Sequence, residues 1–392
     1  MKEVKVILKE SREKPVLAFH PWIYSGAIDL IEDDFKAGDV VRVHSAKGNF
    51  LGKGYLNPHS EIAIRMLTFQ DEAIDETFFK EKFGMAFRLR AGIPEAGTNA
   101  CRLVNGEGDF LPGLVVDRYD RYLVIQVLTA GMEKLKPCWL GCLKDLEGIR
   151  GIYQKDDSER RRFEGLDRCV ETVCGEEPPA FIEIRERGMK FIVDVKEGQK
   201  TGFFLDQREN RHLARRIAGG KNVLNAFAYT GGFSVACLLG GAKRVTSVES
   251  SEAALNACAS NFELNGQDPK DHVFAREDVF DYLRQDPVRY DLIVLDPPAF
   301  AKSKSDVEKA ARGYKDINLQ AMKRLNPGGL LFTFSCSNYI SPELFQKIVF
   351  GAAKDARVRL QIIEKTSHPS DHPISVFHPE GEYLKGLLCR VA

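Results

Sequence analysis

The sequence predicts an α/β protein whose larger part is a doubly wound parallel sheet with helices on both faces. From about residue 180, short apolar runs alternate with longer helical stretches, which is the order of parallel strands joined by crossover helices. The chain has 392 residues, 44% hydrophobic and 29% charged, which is typical of folded proteins with two or three domains. Its 56 basic and 56 acidic residues balance, so an anionic partner must be met by a local patch.

Three segments with different patterns divide the chain. Residues 1–70 alternate apolar and polar positions in short runs separated by glycines, which predicts a small β-barrel domain. Residues 71–178 combine helical stretches at 72–91 and 135–146 with further β-like runs, which predicts an α+β middle domain. Residues 179–392 form the α/β domain.

Apolar runs and helical stretches alternate regularly within the α/β segment. Its strands are predicted at residues 222–227, 244–248, 272–275, 291–295, 329–334 and 360–363. Its helices are predicted at residues 233–239, 252–265, 279–285, 307–325 and 342–354. Ligands of such sheets bind at the carboxyl ends of the strands, near the point where the strand order reverses. The functional residues are therefore sought in the loops that follow the strands.

Several features favour a cytoplasmic protein without a metal. Residues 1–5 lack the apolar core of a secretion signal. The nine cysteines are scattered, as expected for reduced thiols, and none forms a Cys-x-x-Cys pair. The uncharged stretch 222–242 has the length of a membrane span, but its polar residues and glycines favour a buried strand, loop and helix. We expect no membrane partner.

The loop after the first strand has the strand, glycine turn and helix order of a nucleotide site. Ala226 and Ala228 replace the first two glycines of the dinucleotide spacing, and their methyl groups would hold a pyrophosphate away from the backbone. The loop therefore suits a nucleoside without phosphates, while a turn that only packs a helix on the sheet is the alternative. The cofactor-binding candidates here are Asn225, Ala226, Phe227, Tyr229, Thr230 and Gly231.

Acidic residues follow the next two strands. Glu249, which precedes Ser250, is placed to accept hydrogen bonds from ribose hydroxyls. Asp278, which precedes Val279, is placed to accept a hydrogen bond from an adenine amino group, and it is also positioned as a helix N-cap. Together the two carboxylates favour S-adenosylmethionine over NAD as the cofactor.

The fourth and fifth strands end in residues suited to hold and attack a planar base. Asp296 precedes Pro297 and Pro298, which fix the backbone so that the carboxylate can take the N–H or amino edge of a base. Phe300 is placed to pack nearby. Cys336 lies at the next strand end and can act as a nucleophile if its thiolate is available, although a cysteine packed as a small hydrophobe is the usual alternative.

Basic residues outside the strands are candidate RNA contacts, and a solvated surface is the alternative for each. One run is Arg160, Arg161 and Arg162. A second group follows Asp296, where the phosphates flanking a flipped base would pass. This second group comprises Lys302, Lys304, Lys309, Arg312 and Lys315.

Five runs of sequence together resemble a known family. They lie at residues 199–211, 229–234, 296–300, 335–337 and 380–386. In this combination the chain resembles the bacterial 23S ribosomal RNA 5-methylcytidine methyltransferase I family over nearly its whole length. The resemblance implies an N-terminal PUA-like RNA-binding domain, a small α+β middle domain and a C-terminal Rossmann-like class I methyltransferase domain.

The resemblance also implies an activity, the formation of 5-methylcytidine in 23S ribosomal RNA with S-adenosylmethionine as the donor. Cys336 is then the nucleophile that attacks cytosine C6, and Asp296 holds the base. Thiolate addition to C6 is needed because C5 of cytosine is a poor nucleophile by itself. Two alternatives stay open, a methyltransferase of the same fold that acts on a base nitrogen and a non-catalytic RNA-binding or ribosome-assembly module. The oligomeric state is not determined, and a homodimer is one state that the sequence allows.

The resemblance places residues 200–211 over the methionine end of the cofactor. Relatives commonly have an acidic residue at the position of Asn225, so its contact with the methionine amine is expected to be weaker or water-mediated. Lys200 and Arg211 are also candidate RNA contacts. The cofactor contacts assigned outside the glycine loop are Phe203, Gln207, Arg208, Glu249, Ser250, Asp278, Val279, Asp296 and Pro297.

Overall fold

A computed structural model describes residues 3–93, 97–285 and 287–392, without the side chain of Arg160. The chain divides into two compact units. The first comprises residues 1–182, 193–205 and 370–381, and the second comprises residues 183–192, 206–369 and 382–392. In the described ranges no helix combines the length and the apolar character needed to cross a membrane.

A six-stranded sheet opens the first unit and confirms the predicted β-rich character of the N-terminal segment. Val4, Val6 and Leu8 of its first strand are buried, while the residues between them are partly exposed. This is the period-two pattern of a strand with one face on the core. The elements are β1 (Val4–Leu8), α1 (Lys14–Leu17), β2 (Trp22–Ile23), β3 (Ile28–Ile31), β4 (Asp39–His44), β5 (Phe50–Leu56) and β6 (Ile64–Thr68), with the strands in the order β2-β6-β5-β4-β1-β3.

The first unit also contains a five-stranded sheet with helices. The predicted helix 72–91 begins only at Glu76, because the Asp75 side chain accepts a hydrogen bond from the backbone N of Phe78 and caps it. The predicted helix 135–146 runs from Lys136 to Lys144, with Pro137 in its first turn, and a short helix at Ala130–Lys134 precedes it. The elements are α2 (Glu76–Leu89), β7 (Ala100–Asn105), β8 (Leu114–Tyr119), β9 (Tyr122–Val127), α3 (Ala130–Lys134), α4 (Lys136–Lys144), β10 (Gly151–Asp156) and β11 (Cys169–Gly175), with the strands in the order β11-β10-β9-β8-β7.

The second unit is built on a seven-stranded sheet and confirms the predicted α/β class. A two-stranded hairpin precedes the sheet and consists of β12 (Ile182–Glu186) and β13 (Met189–Val193). The helices are α5 (Arg208–Ile217), α6 (Gly232–Leu239), α7 (Glu252–Leu264), α8 (Val279–Gln285), α9 (Val307–Lys323) and α10 (Pro342–Ala356). The sheet strands are β14 (Asn222–Ala226), β15 (Arg244–Val248), β16 (Val273–Ala275), β17 (Tyr290–Leu295), β18 (Leu325–Ser335), β19 (Leu360–Thr366) and β20 (Lys385–Val391).

The strand order β16-β15-β14-β17-β18-β20-β19 reverses direction between β14 and β17. The central strands are parallel and buried on both faces, which is why they read as continuous apolar runs in the sequence. The last strand, β20, lies antiparallel between β18 and β19, and neither it nor the hairpin was predicted. The reversal marks the edge of the sheet where a ligand is expected.

Candidate active site

Two loops leave the sheet side by side at the point where the strand order reverses. Ala226, the last residue of β14, is in register with Leu295, the last residue of β17. The backbone N of Asp296 lies 3.5 Å from the carbonyl oxygen of Ala226. The glycine loop after β14 and the Asp-Pro-Pro loop after β17 therefore start as neighbours, as predicted for a shared site.

The loop after β14 is a tight turn that a carboxylate holds in place. Phe227 and Tyr229 adopt positive φ angles of 63° and 46°, which non-glycine residues rarely do outside constrained sites. Glu249, after β15, accepts hydrogen bonds from the backbone N of Tyr229 at 3.0 Å and of Ser251 at 3.0 Å. Ser250 donates to the same carboxylate at 3.2 Å. Because each carboxylate oxygen has two lone pairs, Glu249 keeps capacity for a ligand hydroxyl.

Two buried polar atoms near this turn have no partner among the described residues. Asn225 donates through Nδ2 to Ser234 Oγ at 2.8 Å, and Ser234 Oγ lies 2.8 Å from Ser247 Oγ. Asn225 Oδ1 and Thr230 Oγ1 are buried without a hydrogen-bond partner. Unpaired buried polar groups are costly, so these two atoms are available to hydrogen-bond a bound molecule.

Four aromatic rings form a continuous wall beside the two loops. The Phe300 centroid lies 4.6 Å from that of Tyr314, 5.9 Å from that of Phe280 and 6.4 Å from that of Phe227. Phe300 is thus held by its neighbours while staying partly exposed. Asp278 acts as the predicted N-cap, because its Oδ1 accepts from the backbone N of Phe280 at 2.8 Å. Val279 is buried in the core cluster against which Phe227, Phe280 and Phe300 pack.

The Asp-Pro-Pro loop carries a carboxylate that is fixed by a glutamine. Gln207 Nε2 donates to Asp296 Oδ1 at 2.8 Å, and Asn210 Nδ2 donates to Gln207 Oε1 at 2.6 Å. Gln207 and Asn210 are buried, whereas Asp296 is half-buried and Pro298 is exposed. Gln207 was predicted to contact the cofactor, and the structure shows that it orients Asp296.

Cys336 lies one residue beyond β18 and touches the neighbouring loop. Its Sγ donates to the carbonyl oxygen of Pro297 at 3.5 Å, and the residue is half-buried. Burial raises the pKa of Cys237, Cys258 and Cys389 to about 12 each, as expected for thiols packed as small hydrophobes. The structure therefore brings Asp296, Pro297 and Cys336 together, as the sequence predicted.

Of the five basic residues that follow Asp296, four are exposed and one is paired with an acidic residue. Lys302, Lys304, Lys309 and Arg312 are exposed. Lys315 is half-buried and its Nζ lies 2.6 Å from Asp355 Oδ2. Its charge is offset by this carboxylate, which makes it a weaker candidate for a phosphate contact than the other four.

Two of the predicted RNA contacts have guanidinium groups that are buried in ion pairs. Arg211 is 2% exposed and its Nε and Nη2 donate to Glu186 at 2.7 and 2.5 Å. Arg161 is 3% exposed and bonds Asp156 at 2.6 Å and Glu133 at 3.1 Å. A guanidinium group that is buried in this way does not favour a phosphate contact, and the assignment of both residues to RNA stays a prediction. Arg162 is exposed, and the side chain of Arg160 lies outside the described residues.

The remaining predicted contacts, Phe203 and Arg208 with the cofactor and Lys200 with RNA, are divided between the units. Phe203 and Lys200 belong to the first unit, where the backbone N of Phe203 donates to Tyr119 Oη at 3.1 Å. Lys200 is exposed, with Nζ 4.5 Å from the Phe204 ring centroid. Arg208 belongs to the second unit and is buried at the start of α5.

Gly231 allows a test of how the glycine turn is built. It has φ +81°, and a Cβ there would lie 2.2 Å from Cys258 Sγ. We expect Gly231→Ala to lower the free energy of unfolding of the second unit by about 3 kcal/mol, from overpacking and left-handed strain together. Urea unfolding, monitored through hydrogen exchange of the α6 amides, measures this loss of stability.

Cys258→Ala provides the matched background for that measurement. Removing the sulfur should relieve the overpacking and leave about 1–2 kcal/mol of backbone strain. An equal loss in both backgrounds would show that the Cys258 contact is not the cause.

The residues around the glycine loop fit S-adenosylmethionine. Asn225 Oδ1 can accept from its ammonium group, Glu249 can accept from its ribose hydroxyls, and the aromatic wall offers an apolar surface for its adenine. The fold and this site together define a class I S-adenosylmethionine-dependent methyltransferase.

Comparisons with known proteins agree with this class. A family model described as S-adenosylmethionine-dependent methyltransferase matches residues 158–390, and one described as PUA-like domain matches residues 6–69. A solved structure from Streptococcus mutans, assigned as a SAM-dependent methyltransferase, is 25% identical with a TM-score of 0.85 and covers 99% of this chain and 100% of its own. Another methyltransferase, complexed with SAH, is 26% identical with a TM-score of 0.87 and the same coverage.

Curated relatives match over their full length. Proteins named ribosomal RNA large subunit methyltransferase I from Klebsiella pneumoniae and Erwinia tasmaniensis are each 43% identical and cover 99% of this chain, which spans 98% and 99% of theirs. This chain belongs to the ribosomal RNA large subunit methyltransferase I family of S-adenosylmethionine-dependent methyltransferases. S-adenosylmethionine is its cofactor.

Proposed function

We propose that this enzyme methylates C5 of a cytosine in large-subunit ribosomal RNA through a transient bond between Cys336 and cytosine C6. The observation that carries the proposal is the contact between Cys336 Sγ and the carbonyl of Pro297. It puts a half-buried thiol beside Asp296 at adjacent strand ends. A nucleophile and a base-holding carboxylate are the two groups that this reaction requires.

The steps assigned to this chain follow from the electronics of the ring. Cys336 Sγ adds to C6, which makes C5 electron-rich so that C5, rather than a ring nitrogen, becomes the site of methylation. Once C5 carries the methyl group, its proton passes to water and the C6–Sγ bond breaks, which restores the aromatic ring and the thiolate. Asp296, fixed by Gln207, accepts a hydrogen bond from the amino edge of the base and holds C6 against the sulfur.

S-adenosylmethionine supplies an electrophilic methyl group when bound. We assign its ammonium to Asn225 and Thr230, its ribose to Glu249 with Ser250, and its adenine to Phe227, Asp278 and Val279. Tyr229 and Gly231 shape the turn that these contacts need, and Ala226 and Pro297 line the strand ends. Contributions of Phe203 and Arg208 to cofactor binding, and of Lys200 to RNA binding, stay predictions from the sequence.

Ribosomal RNA is the proposed substrate because the curated relatives are named for it and because four exposed basic residues follow the base-holding loop. Lys302, Lys304, Lys309 and Arg312 are assigned to the phosphates that flank the target base, and Pro298 with Phe300 to the base itself. We infer a cytoplasmic enzyme, since that is where ribosomal RNA is found. The homodimer and the three-domain division at residues 70 and 178 stay predictions.

The identity of the product tests this proposal directly. The enzyme is incubated with S-adenosylmethionine and unmodified 23S ribosomal RNA, and the RNA is digested to nucleosides for mass spectrometry with fragmentation. We expect 5-methylcytidine. A methyl group on the exocyclic or a ring nitrogen would instead support the alternative in which Asp296 and its prolines bind the amino edge while Cys336 is incidental. No methylated nucleoside at all would support the non-catalytic module.

Asp296→Asn tests how the base is held. The amide has the shape of the carboxylate and its oxygen can still accept from Gln207, but it loses the charge. We expect kcat/KM for RNA to fall about 100-fold, because hydrogen bonds to charged groups contribute about 1.5–3 kcal/mol. Asp281→Asn, which changes an exposed acid on α8, should leave the rate unchanged. Equal rates for wild type and Asp296→Asn would remove Asp296 from the mechanism.

A further inference from the structure

A lysine on the last strand reaches the turn that carries Cys336. Lys385 is the first residue of β20 and is paired with Ser335 of β18. It is 5% exposed, and its Nζ donates to the carbonyl oxygen of Ser337 at 2.7 Å. Cys336 lies between these two serines. The strand pairing with Ser335 and the hydrogen bond to Ser337 therefore hold the Lys385 amine at the turn that carries the Cys336 thiol.

The charges around this turn favour a protonated lysine at neutral pH. Burial lowers the pKa of Lys385 to about 8, while the charges of Cys336 and Glu382 act to raise it. Tyr314 of α9 faces the same turn, with its hydroxyl 3.0 Å from Ser337 Oγ. Burial raises the pKa of Tyr314, so the phenol stays neutral. Lys385 thus brings positive charge to the turn up to about pH 8.

We propose that Lys385 is a positioning residue whose ammonium group stabilises the thiolate form of Cys336. The attraction between the two charges is mutual. If the Cys336 thiolate stabilises the Lys385 ammonium, the ammonium stabilises the thiolate by the same free energy. The S–H bond of the thiol breaks, sulfur keeps the electron pair and the proton passes to water, while Lys385 stays protonated. This inference rests on the proposed role of Cys336 as nucleophile.

The pH profile of Cys336 alkylation tests the inference without RNA or cofactor. Full-length enzyme is treated with iodoacetamide between pH 5.5 and 10, and modification of the Cys336 peptide is followed by mass spectrometry. In Lys385→Gln the amide can still donate to Ser337 but carries no charge. In this variant we expect the rate of Cys336 alkylation at pH 7 to fall about ten-fold, and the midpoint of its pH profile to rise by about one pH unit. Lys385→Arg keeps the charge and should stay near wild type.

Controls separate this effect from misfolding and from failure of the proposed function. Cys169, a half-buried thiol of the first unit, reports general reactivity in the same digests and should not change. S-adenosylmethionine binding by calorimetry reports folding of each variant. An unchanged Cys336 profile in a folded Lys385→Gln enzyme would overturn the inference, as would a wild-type Cys336 that reacts only above pH 9. Full methylation activity in Cys336→Ala would instead overturn the proposed function, whatever the alkylation profile.

Discussion

Cys336→Ala will reduce methylation of ribosomal RNA by about 10⁴-fold or more and leave S-adenosylmethionine binding intact. Loss of a covalent nucleophile removes the reaction path itself, and losses of this order or larger are typical. Cys336 contacts the carbonyl oxygen of Pro297 through sulfur and is only half-buried, so its truncation should cost little stability. Single-turnover methyl transfer from labelled cofactor measures the rate, and calorimetry measures binding.

Cys169→Ala is the matched control, because it removes another half-buried thiol far along the sequence. It should methylate at the wild-type rate. Retention of more than a tenth of the activity in Cys336→Ala would exclude the covalent path and leave methylation of a base nitrogen as the explanation.

A trapped complex offers independent evidence on the same residue. If the target cytosine carries fluorine at C5, no proton can leave that carbon after methylation, and the sulfur remains bonded to C6. We expect a complex of enzyme and RNA that survives denaturing electrophoresis in wild type and Cys169→Ala but not in Cys336→Ala. Peptide mapping of the complex should locate the RNA on Cys336.

The sequence predicted the central sheet well because its strands are buried on both faces. The run at 291–295 became the end of β17, whose last four residues are fully buried, and the strand at 244–248 matches β15. Runs of this kind need no knowledge of pairing to be recognised. The loops that follow them were found for the same reason, since the end of each run marks the edge of the sheet.

Residues that depend on long-range pairing were not predicted. Lys385 comes near Cys336 only because β20 inserts beside β18, some fifty positions away in sequence, and no local pattern marks that partner. The hairpin of β12 and β13 did carry a signal, because buried residues alternate on both sides of Gly188, which has φ +80°. This alternation of apolar and polar residues on both sides of a tight turn is the pattern of a β-hairpin and could have been recognised in the sequence.

Charge alone does not show which basic residues are accessible to RNA. In the run of three arginines, Arg161 is buried against Asp156 while Arg162 is exposed. The residues of this run are identical in type, so only the fold decides which of them forms an ion pair with an acidic residue. Arg211 illustrates the same limit, because its partner, Glu186, lies on a hairpin that was not predicted.

Arg211→Leu will therefore destabilise the second unit strongly without affecting RNA affinity directly. The substitution leaves Glu186, whose side chain is 1% exposed, as a buried charge without its partner. Removing one member of a buried pair typically costs about 3–5 kcal/mol. We expect hydrogen exchange in β12 and α5, the two elements that the pair joins, to accelerate about 100-fold or more.

The neighbouring pair between Arg187 and Glu209 joins the same hairpin to the same helix but is largely exposed, at 35% and 40%. Arg187→Ala should cost less than about 1 kcal/mol, because solvent screens exposed ion pairs. The double change Glu186→Leu with Arg211→Leu should recover much of the loss, since two apolar side chains can replace a buried pair. A single Arg211→Leu that exchanges like wild type yet binds RNA more weakly would restore Arg211 as an RNA contact.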